Sequence, residues 1–419
     1  MKKRSLLLIP ALLLAALALR PGDRGAPHST PFDAWNRLLQ AEAPGKNVAL
    51  LDRTQLRANA ARLRAGVDPA IRLRLVSKSL PSLPLLAELM EQLQTDRLMV
   101  FSEPYLEAVL GEFGSRVDIL LGKPLPAAAA ARLASRFDLS RVCWLIDSEA
   151  RLQDYLAVGG PRLRVGLEID VGLRRGGFAD PAALRPVLQQ IQAHPEQVEL
   201  VAVMGYDGHV EHALPLISSA DAEFEAVQQR YAAMVAELEQ AGVATTTLLL
   251  DSGGSSTWWR YGPGAKVVAN EISVGSAFLV PAHFSASERF GLQPALWLAA
   301  PVLKRLPPKL PFVEAAGGVL AAWDPNVARH YFLLGGSWPA DVASPAGLSR
   351  HFLWDSGPPV QNLLPNQPLL TGSERTGLAE GDFVFFRPWE GDAMVAFSEL
   401  LVVEGEDRAG SWATFRGGN

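Results

Sequence analysis

The chain has 419 residues, 48 % of them apolar, with a net charge of -5 and a pI near 5.9. That length and apolar content bury a sizeable core, in roughly two or three domains. The acidic balance leaves no basic field for nucleic acid, and no RNA- or DNA-binding signature is present. One cysteine, Cys143, excludes an internal disulfide framework and a cysteine-rich zinc site. It lies in the apolar run Val142-Cys143-Trp144-Leu145-Ile146, which predicts a buried strand residue rather than a reactive thiol.

Residues 1–20 read as a signal peptide or a membrane anchor: Lys2-Lys3-Arg4 precedes an apolar stretch from Leu6 to Leu19, interrupted only by Pro10. The stretch is shorter than the ~20 residues of a transmembrane span, and Ala16-Leu17-Ala18 makes a small-x-small cleavage site. Positive charge ahead of it keeps the N-terminus in the cytoplasm and sends the rest across. The expected location is the periplasm, free or attached to the membrane through residues 6–19; the alternative is the cytoplasmic side of the inner membrane. Residues 21–45 read as a mobile linker rich in Pro, Gly and charge, then a short helix around Trp35 to Ala41.

Asn47 to Asp52 reads as a strand and Thr54 to Arg64 as a helix, after which strands and helices alternate. The predicted strands are Arg72 to Lys78, Arg97 to Ser102, Val117 to Gly122, Val142 to Asp147, Leu163 to Asp170, Leu200 to Tyr206, Thr247 to Asp251 and Ile272 to Gly275. Helical stretches such as Ala127 to Phe137, Pro181 to Ala193 and Ala222 to Gln240 fall between them. Eight such repeats predict an α/β fold, a (β/α)8 TIM barrel over residues 46–283. A doubly wound sheet is the alternative, although no Gly-x-Gly-x-x-Gly loop opens its first helix. Over 284–419 helical periodicity fades and short strands predict an antiparallel β domain: Phe312-Val313-Glu314, Tyr331 to Leu334, Phe383 to Phe386 and Leu400 to Val403. The strand 47–52 is a candidate to join it.

Four predicted strand ends carry polar clusters, and barrels place their chemistry at that end. Lys78, in Ser77-Lys78-Ser79, is a candidate for Schiff-base chemistry if desolvation and neighbouring cations activate it. Asp170-Val171-Gly172-Leu173-Arg174-Arg175-Gly176-Gly177 brings Arg175 to the mouth. Gly205-Tyr206-Asp207-Gly208-His209 offers Tyr206 and His209 for proton transfer or ring contacts, while His212 reads as structural. Ser252, Gly253, Gly254 and Ser255, with Gly275 and Ser276 after the next strand, expose backbone N–H groups and hydroxyls suited to a phosphate monoester.

In this order the set resembles the fold-type III pyridoxal-phosphate enzymes. Alanine racemase shares the Asp-x-Gly-x-x-Arg-x-Gly pattern, matched by Asp170, Gly172, Arg175 and Gly177. The sequence is more similar to the D-threonine aldolase and D-serine dehydratase-like group, which includes bacterial amino acid deaminase/aldolases. That likeness rests on Ser77 to Ser79, Gly205 to His209, Ser252 to Gly254, Glu271 to Ser276, Ala316-Gly317-Gly318, Arg387 to Asp392 and Thr414 to Gly417. The resemblance implies pyridoxal 5'-phosphate as cofactor, with Lys78 as the aldimine lysine, Arg175 facing the cofactor oxygen, and the Ser252 and Gly275 regions holding phosphate. It implies a homodimer and a small amino acid as substrate. The expected activity is a lyase, aldolase or dehydratase/deaminase in type, acting on a D-β-hydroxy amino acid with His209 as leading acid/base. The alternatives are an amino acid racemase and a non-catalytic pyridoxal-phosphate-binding relative. The racemase reading lacks a suitable late tyrosine, since only Tyr331 follows Tyr261. The group's metal-binding histidine, two residues before cysteine or aspartate, has no counterpart; Glu390 and Asp392 stand there, and two carboxylates are candidates for Mg²⁺ or Mn²⁺.

Overall fold

The computed structural model describes residues 19–308, 314–350 and 368–415, so the predicted leader lies outside the described residues. No helix among the described residues is long and apolar enough to cross a membrane. The chain divides into two units, and neither is one continuous stretch.

The first strand, β1 (Val48–Asp52), belongs to the sheet unit. The barrel unit begins at Arg53. Its strands are β2 (Arg72–Val76), β3 (Arg97–Val100), β4 (Asp118–Leu121), β5 (Val142–Ile146), β6 (Leu163–Glu168), β7 (Val198–Met204), β8 (Leu249–Ser252) and β9 (Glu271–Val274). All neighbours pair in parallel and β9 returns to β2, with Arg72 opposite Glu271 and Leu75 opposite Val274, so the predicted barrel is closed. The strands are buried on both faces, which is why they read as near-continuous apolar runs. Helices follow most strands, among them Leu83–Leu93, Glu103–Phe113, Glu149–Val158 and Ala220–Gln240. Between β8 and β9 only a single 3-10 turn, Trp258–Tyr261, takes the helix's place.

The helix Arg53–Gly66 precedes β2 and is tied to the segment after β9 by buried Asn59. The Asn59 amide donates to the carbonyls of Phe278 (2.9 Å) and Gln293 (2.7 Å) and accepts from the Gln293 N–H (2.9 Å). One departure from the apolar pattern lies inside the barrel. Arg74 has no exposed surface and donates to Glu271, to Asp118 Oδ1 (2.6 Å) and to the carbonyls of Leu98 and Asp118. Asp118 is on β4, which β2 does not neighbour, so the guanidinium reaches it across the barrel interior. Arg97 and Arg164 add contacts to Glu271 (2.9 Å) and Asp118 (3.2 Å), which leaves both carboxylates compensated. Cys143, on β5, is buried and its thiol is pushed up to about 12 by that burial, as its apolar setting predicts.

The sheet unit is mainly antiparallel. It contains β10 (Leu296–Leu306), β11 (Arg329–Leu333), β12 (Ala340–Ser344), β13 (Ser349–Arg350), β14 (Leu369–Gly372), β15 (Phe383–Pro388), β16 (Glu399–Glu404) and β17 (Asp407–Ala413). Their order is β13-β14-β11-β10-β1-β16-β17, with β15 paired to β10 and β12. β1 thus sits centrally, antiparallel to β10 and parallel to β16. Trp35, Leu39, Leu50, Phe383, Phe385 and Val403 form the core under it. Of the predicted strand Phe312-Val313-Glu314, Phe312 and Val313 lie outside the described residues, and Glu314 opens the helix Glu314–Trp323. That helix is rich in alanine, the best helix former.

Candidate active site

The carboxyl ends of the barrel strands surround a cavity of about 790 Å³, within the range of small-molecule sites. Every residue lining it belongs to the barrel unit, including Glu390, which returns from late in the chain.

Lys78 lines this cavity two residues past β2, in a turn fixed by the Ser77 N–H bonding to the Met99 carbonyl (2.9 Å). Its side chain is half exposed (49 %), and Nζ lies 3.9 Å from Asp392 Oδ2. The expected surroundings, a desolvated lysine among cations, are not found; a carboxylate faces it instead. Arg175 and Tyr206 line the same space, the guanidinium 5.2 Å from the Tyr206 ring centroid and 3.8 Å from Glu168 Oε1. The loop carrying Arg175 is shaped by Asp170, whose Oδ1 accepts from the N–H groups of Gly172 (2.8 Å) and Arg174 (3.0 Å). Burial pushes the Tyr206 phenol and the Glu168 carboxyl upward, with Arg175 opposing both.

Gly253, Gly254, Ser255, Gly275 and Ser276 line one side of the cavity, and the Gly275 N–H donates to Ser255 Oγ (3.1 Å). A Cβ on Gly254 would stand 2.6 Å from Tyr206 Cε2, so glycine is required for the ring and the loop to approach. Ser252 is not part of the lining. It is buried and donates to the Gly205 carbonyl (2.6 Å), which fixes the β7 and β8 ends to each other. Behind this wall Asp207 is fully buried and accepts from Thr257 Oγ1 (2.8 Å) and Tyr261 Oη (2.9 Å); burial pushes its carboxyl up to about 6.

His209, the leading acid/base from the sequence, does not line the cavity. Its ring lies against Gly172, with Nε2 3.8 Å from Glu223 and neither ring nitrogen hydrogen-bonded. Burial lowers its proton affinity, with Glu223 opposing. The short turn Gly208-His209-Val210 explains the displacement: with Gly208 packed on the Tyr206 ring, the next side chain points away. His212 does line the cavity.

The sequence singled out no role for several polar lining residues, among them Asp251, Ser273 and His283. Asp251 and Ser273 form part of the floor, Ser273 Oγ donating to Asp251 Oδ1 (2.7 Å), and burial together with Glu271 pushes Asp251 well upward. His283 faces the same space with Nδ1 3.1 Å from Glu390 Oε1. It lies in Pro281-Ala282-His283-Phe284, well past the end of β9 at Val274, so the strand-end cue that singled out Lys78 does not reach it.

Glu390 and Asp392 do not fit the expected metal site. Glu390 lies against His283 and Asp392 against Lys78, and no group of three or more His, Cys, Asp or Glu among the described residues is placed to hold a metal. Tyr331 is buried in the sheet unit, its hydroxyl shared with Thr376 (2.8 Å).

The alanine racemase N-terminal domain family matches residues 51–280, more than half of the chain. The protein belongs to that family. Three solved structures share the fold over most of the chain. The D-threo-3-hydroxyaspartate dehydratase from Delftia sp. HT23 is 16 % identical, with 91 % of this chain and 99 % of that one covered and a TM-score of 0.65. The D-threonine aldolase from Filomicrobium marinum is 15 % identical, covering 94 % and 98 %, with a TM-score of 0.65. The alanine racemase from Bacillus anthracis with bound L-Ala-P is 12 % identical, covering 88 % and 97 %, with a TM-score of 0.66. Among curated proteins no sequence matches.

Proposed function

We propose that the protein is a pyridoxal-phosphate-dependent lyase acting on a D-β-hydroxy amino acid. The observation that carries this reading is one cavity that collects Lys78, Arg175, Tyr206 and the glycine- and serine-rich ends of β8 and β9. The donor set fits the cofactor: an amine at Lys78, a guanidinium at Arg175, and N–H groups and hydroxyls at Gly253 to Ser255 and Gly275-Ser276 for a phosphate. When bound, the cofactor supplies a conjugated ring that accepts the electron pair released at Cα. Lys78 Nζ is the amine that would hold it covalently, and Asp392 at 3.9 Å keeps that amine at the mouth. Arg175, anchored over Tyr206, would donate to the ring oxygen. Trp259 and Phe284 line the cavity and exclude water from its walls. The choice of lyase over racemase is supported by the burial of Tyr331, which is committed to Thr376. A homodimer, and export to the periplasm or anchoring through residues 6–19, are part of the same proposal on the strength of the sequence.

The test is the visible absorption spectrum of the purified protein with added pyridoxal phosphate, followed by borohydride reduction and peptide mapping. Label on Lys78, lost in Lys78→Ala, is the expected result. An absent chromophore refutes the reading, and a chromophore without turnover across D-β-hydroxy amino acids leaves a binding protein.

A further inference from the structure

Resting on that reading, we propose that His283, oriented by Glu390, is the acid/base that moves the proton at the substrate's β-oxygen. Three observations converge. A carboxylate 3.1 Å from His283 Nδ1 orients the ring, the orienter–base arrangement of catalytic pairs. Both residues line the cavity that Lys78 lines, and His283 is 56 % exposed on its side chain. The residue that the sequence favours for this work, His209, is outside the lining.

Glu390 stands where related enzymes are expected to carry a metal ligand, and it faces an imidazole. Such a pair binds a proton at the β-oxygen in one direction and returns it in the other. In aldol cleavage His283 takes the β-hydroxyl proton. The O–H pair becomes the second C–O bond of the departing aldehyde, the Cα–Cβ pair stays with Cα, and Cα takes up a proton, so an amino acid and an aldehyde leave with no net redox change. In elimination the same imidazolium protonates the departing hydroxyl, which leaves as water with the C–O pair, while Cα loses its proton. Either way the histidine acts at one atom.

The experiment compares the full-length holoprotein with His283→Asn, Glu390→Gln and Glu390→Asp. All are expected to keep the Lys78-bound chromophore. General acid–base catalysis contributes about 10²–10⁴-fold, so His283→Asn should lower kcat by at least about 100-fold with KM nearly unchanged. Glu390→Gln should lower kcat by about tenfold, and Glu390→Asp should recover part of that. A second readout needs no turnover. Diethyl pyrocarbonate should modify His283, and D-valine, which carries a methyl group in place of threonine's hydroxyl, should slow that modification several-fold. The proposal is overturned if His283→Asn keeps its kcat, or if the loss follows His209→Asn or His212→Asn instead. It is also overturned if Mn²⁺ stimulates wild type and His283→Asn alike, or if D-valine perturbs the chromophore without protecting His283. Loss of the chromophore in wild type refutes the cofactor reading itself, a distinct result.

Discussion

Arg74 carries a full charge with no solvent contact, and its value lies in what it leaves compensated. Glu271 and Asp118 face it inside the barrel, so Arg74→Met takes from both carboxylates their fully buried partner and leaves only the part-exposed Arg97 and Arg164 to compensate them. Removing one partner of a buried ion pair costs about 3–5 kcal/mol. Denaturant unfolding should show that loss for Arg74→Met, and replacing Glu271 by Gln in the same chain should return part of it. Asp207 supplies a pH signature. Its carboxyl titrates near 3.8 when free and about 6 in the fold, pushed up by burial. Between those values the folded state holds the additional proton, so stability is highest at low pH and falls as pH rises from about 4 to 6. The full effect is about 3 kcal/mol. Asp251 is pushed the same way, so the quantity to measure is the difference in slope between wild type and Asp207→Asn, whose slope should be shallower. Neither residue was legible in advance. Alternation along Ile71, Leu73 and Leu75 identifies a strand, but it assigns Arg74 to the wet side because local pattern carries no knowledge of a partner some two hundred residues away.

At the scale of elements, the strands were readable because a parallel barrel buries both faces of each, and apolar runs bounded by glycine and proline mark that state. The loop between β8 and β9 was harder. Gly253 to Ser255 signal a phosphate loop, yet the expected helix is reduced to Trp258–Tyr261, whose Tyr261 hydroxyl serves Asp207 and Ser252. Side chains committed to the site leave no apolar stripe from which to build a helix. The helix Arg53–Gly66 depends instead on one polar residue. Asn59→Ala leaves the carbonyls of Phe278 and Gln293 without their donor, which costs about 1–3 kcal/mol. Hydrogen exchange should locate the loosening in that helix and in residues 278–293, with the distant strand β5 unaffected.

For the whole molecule, the linear reading ends the barrel at 283 and assigns the remainder to one β domain. The packing instead gives the sheet unit the described residues of Leu296–Trp389 and Leu400–Ser411, and returns Glu390–Glu399 and the described end from Trp412 to the barrel unit. Nothing local encodes such a return; it follows from contacts. Phe415 is one of them, its ring 4.2 Å from Tyr105 and its N–H donating to the Pro81 carbonyl (2.8 Å). Phe415→Ala should cost about 3 kcal/mol in barrel unfolding, an effect of the chain's end on an element near its beginning.

This late return also sets a clock on synthesis. Lys78 and Asp392 are separated by about 300 residues, and at 5–20 residues per second a ribosome needs roughly 15–60 s to pass from one to the other. Once β8 and β9 have been made, the nascent chain holds the amine and both of these strands, but Glu390 and Asp392 follow more than a hundred residues later. A chain that stalls before residue 390 displays Lys78 without the Asp392 carboxylate that faces it in the fold.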